Sequence, residues 1–363
     1  MSERIFNFSA GPGVLPEEVL KQVQQDVLNI FDSGIGILEH SHRGKAYDRV
    51  LAETLEDGKK VCNLPDTHKM LFVQGGASSQ CFMVPANYLP DGRTADYYKT
   101  GKWAMDSIAE AKLYGTVNVC YDGEPGRFKR LPESMSEVKY SDNPAYVHFT
   151  SNNTIMGTQW KEEPEIPSGA FLVSDASSDI FSQPIDLSKY GLLYAGAQKN
   201  LGPAGTVMVI VREDVLDKQC RELPTMLRYT THAENESRYN TPPTFGIYLV
   251  GQVFKWILRQ GGLEAMQKHN KEKAKLIYDA IDASGFYTGH AEKHCRSLMN
   301  ITFTLSTPEL EKKFIKEAEA NGLDGMKGHR SVGGARASIY NAMPRAGCEA
   351  LAQFMQEFER TNG

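Results

Sequence analysis

Ala170-Phe171-Leu172-Val173-Ser174-Asp175 is a short apolar run that ends on a carboxylate, and its reading decides the fold class. A run without polar alternation predicts a strand covered on both faces, as in a mainly parallel sheet sandwiched by helices. Similar runs recur at 70–73, 145–150, 192–195 and 207–211, separated by stretches with helical spacing. This order of elements predicts an α/β fold on a mainly parallel sheet. Upstream, Pro16 suits the first turn of a helix. Glu17 and Glu18 favour the positive end of its dipole, and Val19, Leu20, Val23 and Val27 share one face. Downstream, 244–259 reads as a long apolar helix, and a charged helix follows Gly261-Gly262 to 283. Strands near 298–305 and 335–340, a helix over 308–321 and a final helix predict a smaller C-terminal α/β domain. The expected division is a large domain over 16–258 and a small one made of 1–15 and 259–363.

Composition narrows the function classes. The 363 residues are 41% hydrophobic and 23% charged with a formal net charge of −5, ordinary for a globular chain long enough for about two domains. Acidic and basic residues are mixed throughout, so no basic stripe points to nucleic acid. No apolar run approaches the length needed to cross a membrane. Met1-Ser2-Glu3-Arg4-Ile5 lacks an apolar signal core, which predicts a cytoplasmic protein. Cys62, Cys81, Cys120, Cys220, Cys295 and Cys348 are scattered, and the histidines show no paired helical spacing. Reduced thiols and no metal are therefore expected.

Three short segments carry candidate chemistry. Gln74-Gly75-Gly76-Ala77-Ser78-Ser79-Gln80 lies between a strand and a helix, where glycines admit a ligand to the backbone and helix-start amides make an anion cradle; an ordinary turn has the same look. Asp175 ends its strand at the carboxyl edge of the sheet, where α/β folds bind ligands, and it equally suits an N-cap for Ala176-Ser177-Ser178. Lys199 sits among small residues and an amide in Ala195-Gly196-Ala197-Gln198-Lys199-Asn200, with no acidic neighbour in sequence. Desolvation there would lower its pKa and expose a nucleophilic amine. A cradle, then an acid, then a lysine is the set a pyridoxal 5'-phosphate site needs: phosphate binding, a partner for the pyridine nitrogen and an amine for the aldehyde.

The lysine segment, with Gly202-Pro203-Ala204-Gly205, resembles that of phosphoserine aminotransferases, a class V, fold-type I family. The resemblance runs almost end to end. It includes Asn7-Phe8-Ser9-Ala10-Gly11-Pro12, Ser41-His42-Arg43-Gly44, Ser151-Asn152-Asn153-Thr154-Ile155 with Gly157-Thr158, and Asp175-Ala176-Ser177-Ser178-Asp179. Asn240-Thr241-Pro242-Pro243 and Gly328-His329-Arg330-Ser331-Val332-Gly333-Gly334 with Arg336-Ala337-Ser338 complete it. The resemblance implies that the large domain binds pyridoxal phosphate, with Lys199 attached to it and later carrying the Cα proton, and Asp175 on the pyridine nitrogen. It further implies Trp103 stacked on the ring, Thr154 on the ring hydroxyl, and Ala77, Ser78 and Gln198 on the phosphate. Asn240 and Thr241 are expected to reach that phosphate from the partner subunit of a homodimer. Ala77 and Ser78 stand where some relatives have a third glycine and an arginine, which lowers the positive charge of the cradle.

Arg336 is the candidate for the substrate α-carboxylate, because a guanidinium grips a carboxylate through two parallel hydrogen bonds. His42-Arg43 and His329-Arg330 are the candidates for the distal anion, either a γ-carboxylate or a phosphate. The implied reaction is a reversible ping-pong transfer in serine biosynthesis. L-glutamate would leave as 2-oxoglutarate, and 3-phosphohydroxypyruvate would become O-phospho-L-serine. The resemblance also permits 4-phosphohydroxy-L-threonine formation in pyridoxine biosynthesis. The alternatives are a cysteine desulfurase, an alanine–glyoxylate type aminotransferase and a non-catalytic pyridoxal-phosphate-binding regulator. The first needs a reactive cysteine near the site, and Cys81 adjoins the cradle.

Overall fold

The structure, a computed structural model, describes residues 4–363. Its strands, among the described residues, are β1 (Phe6–Asn7), β2 (His68–Gln74), β3 (Thr94–Lys99), β4 (Thr116–Asp122), β5 (Tyr146–Thr150), β6 (Phe171–Asp175), β7 (Tyr190–Gly196), β8 (Thr206–Arg212), β9 (Thr288–Gly289), β10 (Asn300–Thr304), β11 (Leu323–Asp324) and β12 (Ala335–Ser338). Seven of them form the central sheet in the order β2-β8-β7-β6-β5-β3-β4. Only β8 runs against its neighbours; every other pairing in that sheet is parallel.

The unbroken apolar runs follow from cover on both faces. Met70 and Phe72 of β2 join one core while Leu71 and Val73 join another, as the alternation of side chains along a strand requires. The first core packs the sheet against helices Lys45–Cys62 and Thr244–Arg259; the second packs it against helices Gly76–Tyr88 and Lys102–Ala111. Residues 244–259 form a helix over their whole predicted length.

A third core holds Ile301, Phe303, Phe314, Ala337 and Phe358 together with Phe8 from the N-terminal segment. Strands β12, β10 and β9 form an antiparallel sheet there, and β1 pairs in parallel with β11. Helix Gly262–Asp282 runs between the two units, placing Leu263 and Met266 in the first core and Ala274 and Ile277 in the third.

Two strands of the central sheet, β3 and β4, and the helix Lys45–Cys62 escape the apolar-run reading. β3 carries a fully buried Asp96, whose carboxylate accepts hydrogen bonds from Asn118 Nδ2 (2.9 Å) and the Ser141 amide (3.0 Å). β4 is an edge strand with half-exposed residues. Pro16 stands at the N-cap of helix Glu17–Asp26 rather than inside its first turn. Helix Lys45–Cys62 packs closely on helix Thr244–Arg259, and Gly251 is the contact point: a Cβ there would collide with Thr54 Oγ1. Gly251→Ala therefore overpacks this interface and should lower the unfolding free energy by about 1–3 kcal/mol. Urea unfolding measures this; an unchanged midpoint would show that the two helices part without strain.

Candidate active site

The ends of β2, β5, β6 and β7 lie on one edge of the sheet, the carboxyl edge of the parallel strands. β2 ends at Gln74, and Gly75 (φ 98°) and Gly76 (φ 69°) turn the chain through the left-handed region into helix Gly76–Tyr88. No side chain caps this helix, so the amides of its first turn, including those of Ala77 and Ser78, are free to meet an anion. Ser79 Oγ braces the turn on the Gly76 and Gln74 carbonyls, at 2.8 and 3.2 Å.

Asp175 is both a turn cap and a site residue. Its Oδ1 accepts from the Ser177 amide (3.0 Å) and from Ser177 Oγ (2.6 Å), while Ser177 Oγ in turn accepts from the Gly196 amide (3.0 Å). One carboxylate oxygen thus ties the end of β6 to the end of β7, three residues before Lys199. Oδ2 makes no hydrogen bond among the described residues. The capping expectation for this residue is met by Oδ1.

Lys199 occupies the turn after β7. Its Nζ donates to Thr154 Oγ1 (2.7 Å) and lies 5.4 Å from the centre of the Trp103 ring. Burial lowers its pKa to about 8; the Arg336 charge adds to that fall, while Asp175 and Asp179 oppose it. Trp103 leaves β3 on the first turn of helix Lys102–Ala111. Gly101 before it lies so close to Asn153 Nδ2 that any Cβ would collide, and Asn153 Nδ2 donates to the Thr100 carbonyl (2.6 Å). Thr154 and Trp103 are therefore held by one shared contact. Gln198 shows an amide whose buried Oε1 has no partner, and the Trp103 Nε1 is likewise buried and unpaired.

Arg336 projects from β12. It is half-buried, its Nε has no partner, and no carboxylate lies within ion-pair distance among the described residues. Burial lowers its pKa. His329 is lowered too, by burial first and then by the charges of Arg336, Arg330 and Lys102. Its Nδ1 accepts from the Ser331 amide (3.2 Å), which fixes the ring.

Other expected residues are not brought together within one chain. The His42 Nε2 is buried without a partner and Arg43 is exposed, and no hydrogen bond links either to His329 or Arg330. Asn240 and Thr241 are exposed; the Thr241 carbonyl accepts from Gln74 Nε2 (3.1 Å). Sequence reasoning assigned no role to Asp179, although it closes one of the quoted segments. Its buried carboxylate, with a pKa raised to about 6 by burial, accepts from Ser151 Oγ and from Gln159 Nε2 (3.1 Å), and so anchors the loop that carries Thr154. Nor did it assign one to the N-terminal segment, where the Gly13 amide donates to the Gln198 carbonyl (2.8 Å) and Gly11 lies against the Lys199 side chain.

Comparison with known proteins agrees with this geometry. The family model "Aminotransferase class-V" matches residues 5–351. A phosphoserine aminotransferase of Desulfosudis oleivorans is 53% identical, with 100% of each chain covered. The solved phosphoserine aminotransferase from Bacillus circulans subsp. alkalophilus is 51% identical over 100% of both chains, with a TM-score of 0.97. A pyridoxal-phosphate-bound phosphoserine aminotransferase from Trichomonas vaginalis is 36% identical, covering 97% of this chain and all of its own, with a TM-score of 0.91.

The chain belongs to the phosphoserine aminotransferases of class V.

Local chemistry separates this family member from a desulfurase. Cys81 lies inside helix Gly76–Tyr88, takes a hydrogen bond from Ser107 Oγ at 3.1 Å, and has its pKa pushed up to about 11 by burial. Such a thiol stays protonated and unreactive near neutral pH. The residues present do fit pyridoxal phosphate: an uncapped helix start for the phosphate, a free Asp175 oxygen for the pyridine nitrogen, an aromatic face, and an amine with a lowered pKa. The Lys199 amine should accordingly react with cyanate in cofactor-free protein along a pH profile centred at about 8 rather than 10.5, because only the neutral amine attacks. Mass spectrometry of the Lys199 peptide reads this; a midpoint matching that of surface lysines would remove the desolvated amine from the site.

Proposed function

We propose that this phosphoserine aminotransferase works as a cytoplasmic homodimer. It transfers the amino group of L-glutamate to 3-phosphohydroxypyruvate, giving O-phospho-L-serine and 2-oxoglutarate. The observation that carries the substrate reading is Arg336, a half-buried guanidinium without a carboxylate partner whose charge is felt at Lys199. A cation buried without an anion in the chain is a site for an anion from outside. Its fork suits the α-carboxylate common to both amino acids. The distal group differs, a carboxylate in one substrate and a phosphate in the other, and the His329–Arg330 side of the site offers positive charge to both.

When bound, pyridoxal phosphate supplies the electron sink for charge developing at Cα and carries the nitrogen between the two half-reactions. The chain supplies the rest. The free Asp175 oxygen would face the pyridine nitrogen, Trp103 the ring, and Thr154 the ring hydroxyl; the amides of Ala77 and Ser78 and the Gln198 side chain would hold the phosphate. Lys199 Nζ, neutral when its proton is lost near pH 8, would take the substrate Cα proton and return it. The homodimer reading is supported by apolar residues left in water between helices Glu17–Asp26 and Lys45–Cys62. Leu28 is 76% exposed and Leu38 58%, in the segment that leads into His42 and Arg43. Tyr239, beside Asn240 and Thr241, is also exposed. Burying both patches against a second copy would bring His42-Arg43 and Asn240-Thr241 to the partner's site.

Two measurements test this function. Adding O-phosphoserine or glutamate to the cofactor-loaded protein should discharge its visible absorption, whereas alanine and unphosphorylated serine should leave it; equal bleaching by all four would sink the substrate reading. Arg336→Ala should raise the KM for both glutamate and O-phosphoserine on the order of a hundredfold, because removing one member of a desolvated charge pair costs about 2–5 kcal/mol. Steady-state kinetics in both directions read it; a rise for one amino acid alone would contradict α-carboxylate binding.

A further inference from the structure

Lys273, midway along helix Gly262–Asp282, is fully buried and far from any role in the reaction described above. Its Nζ donates to the carbonyls of Tyr340 (2.8 Å), Ile339 (3.0 Å) and Met343 (3.1 Å), with that of Asn341 at 3.4 Å. No carboxylate pairs with it among the described residues. Three contacts within 3.1 Å match the three N–H groups of an ammonium, whereas a neutral amine has only two. Burying a cation in this way is expensive, and a methionine of similar length would pack there without that penalty. Four carbonyls pointing at one spot need a cation between them, so the lysine enforces a turn shape that packing alone would not choose.

That turn, 339–343, follows directly on β12, which carries Arg336. Its middle residue is the junction of the two units. The Asn341 amide donates to Asn200 Oδ1 (3.0 Å), one residue from Lys199, while Asn341 Nδ2 donates to the Phe181 carbonyl (2.8 Å). Asn341 Oδ1 accepts from Asn270 Nδ2 (2.8 Å), one helical turn from Lys273. Tyr340 OH donates to the Ala10 carbonyl and accepts from Asn300 Nδ2 (3.2 Å), so the N-terminal segment over Lys199 rests on the same turn.

We propose that Lys273 is a positioning residue for the substrate-binding arginine. By gathering the carbonyls of 339–343 it fixes the end of β12 and, through Asn341 and Asn200, the spacing between Arg336 and Lys199. This rests on the reading that Arg336 binds the α-carboxylate. The dissociation constant of O-phosphoserine, taken from the spectral change of the cofactor-loaded enzyme in single turnover, is the readout that a purely structural lysine would leave alone. Lys273→Met should weaken it by about tenfold, a change of about 1.4 kcal/mol, while the absorption of the bound cofactor stays the same. In an Arg336→Ala background the same substitution should add nothing, because residues acting through one another are not additive.

A lower melting temperature with an unchanged dissociation constant would overturn the proposal, as would a full additional loss in the Arg336→Ala background. If Arg336→Ala itself leaves binding intact, the α-carboxylate reading fails instead, and the two failures are told apart. Should Lys273→Met not fold, Asn200→Ala keeps the lysine and its carbonyls but removes the side-chain oxygen that accepts from the Asn341 amide. It should weaken O-phosphoserine binding in the same way; unchanged binding overturns the proposal.

Discussion

A lysine amine attacks only when it is neutral, and in water it is not neutral near pH 7. Lys199 meets this demand by burial beside a guanidinium, with one hydroxyl, Thr154 Oγ1, as its hydrogen-bond acceptor. The surrounding architecture serves that arrangement. At the carboxyl edge of the parallel strands the ends of β2, β5, β6 and β7 lie on one side of the sheet, and burial there desolvates the amine. Arg336 adds a second effect, since its charge also helps keep Lys199 from holding its proton. An anion that neutralised the guanidinium would weaken that help and raise the basicity of the amine.

Asp175 shows how a carboxylate can be oriented without an ion pair. Ser177 occupies one oxygen with two hydrogen bonds and leaves the other open. The turn cap fixes the side chain, and the direction of the cap sets where the free oxygen points.

Much of the large unit was legible because burial on both faces leaves a plain mark, an apolar run with no polar alternation. The runs at 171–174 and 207–211 lie within β6 and β8. β3 was not legible, since Asp96 interrupts the run and its partners, Asn118 and the Ser141 amide, are distant in sequence. The same limit hid the second buried lysine. Lys271-Glu272-Lys273-Ala274-Lys275 reads as the wet face of a charged helix, and nothing local says that one of its three lysines points inward. Only the meeting with 339–343, about seventy residues away, gives Lys273 its acceptors. Lys199 was legible only in company: a lysine in a glycine-rich loop is by itself ordinary, and the preceding cradle and Asp175 singled it out.

Comparing the two lysines explains why one is reactive and the other fixed. Burial depresses the pKa of both. Around Lys199 a single hydroxyl accepts, so the amine can surrender its proton and still keep a hydrogen bond. Around Lys273 the main-chain carbonyls can only accept, and a neutral amine would turn its lone pair towards one of them. Deprotonation would therefore break the cluster that defines the 339–343 turn, and the carbonyl dipoles oppose it.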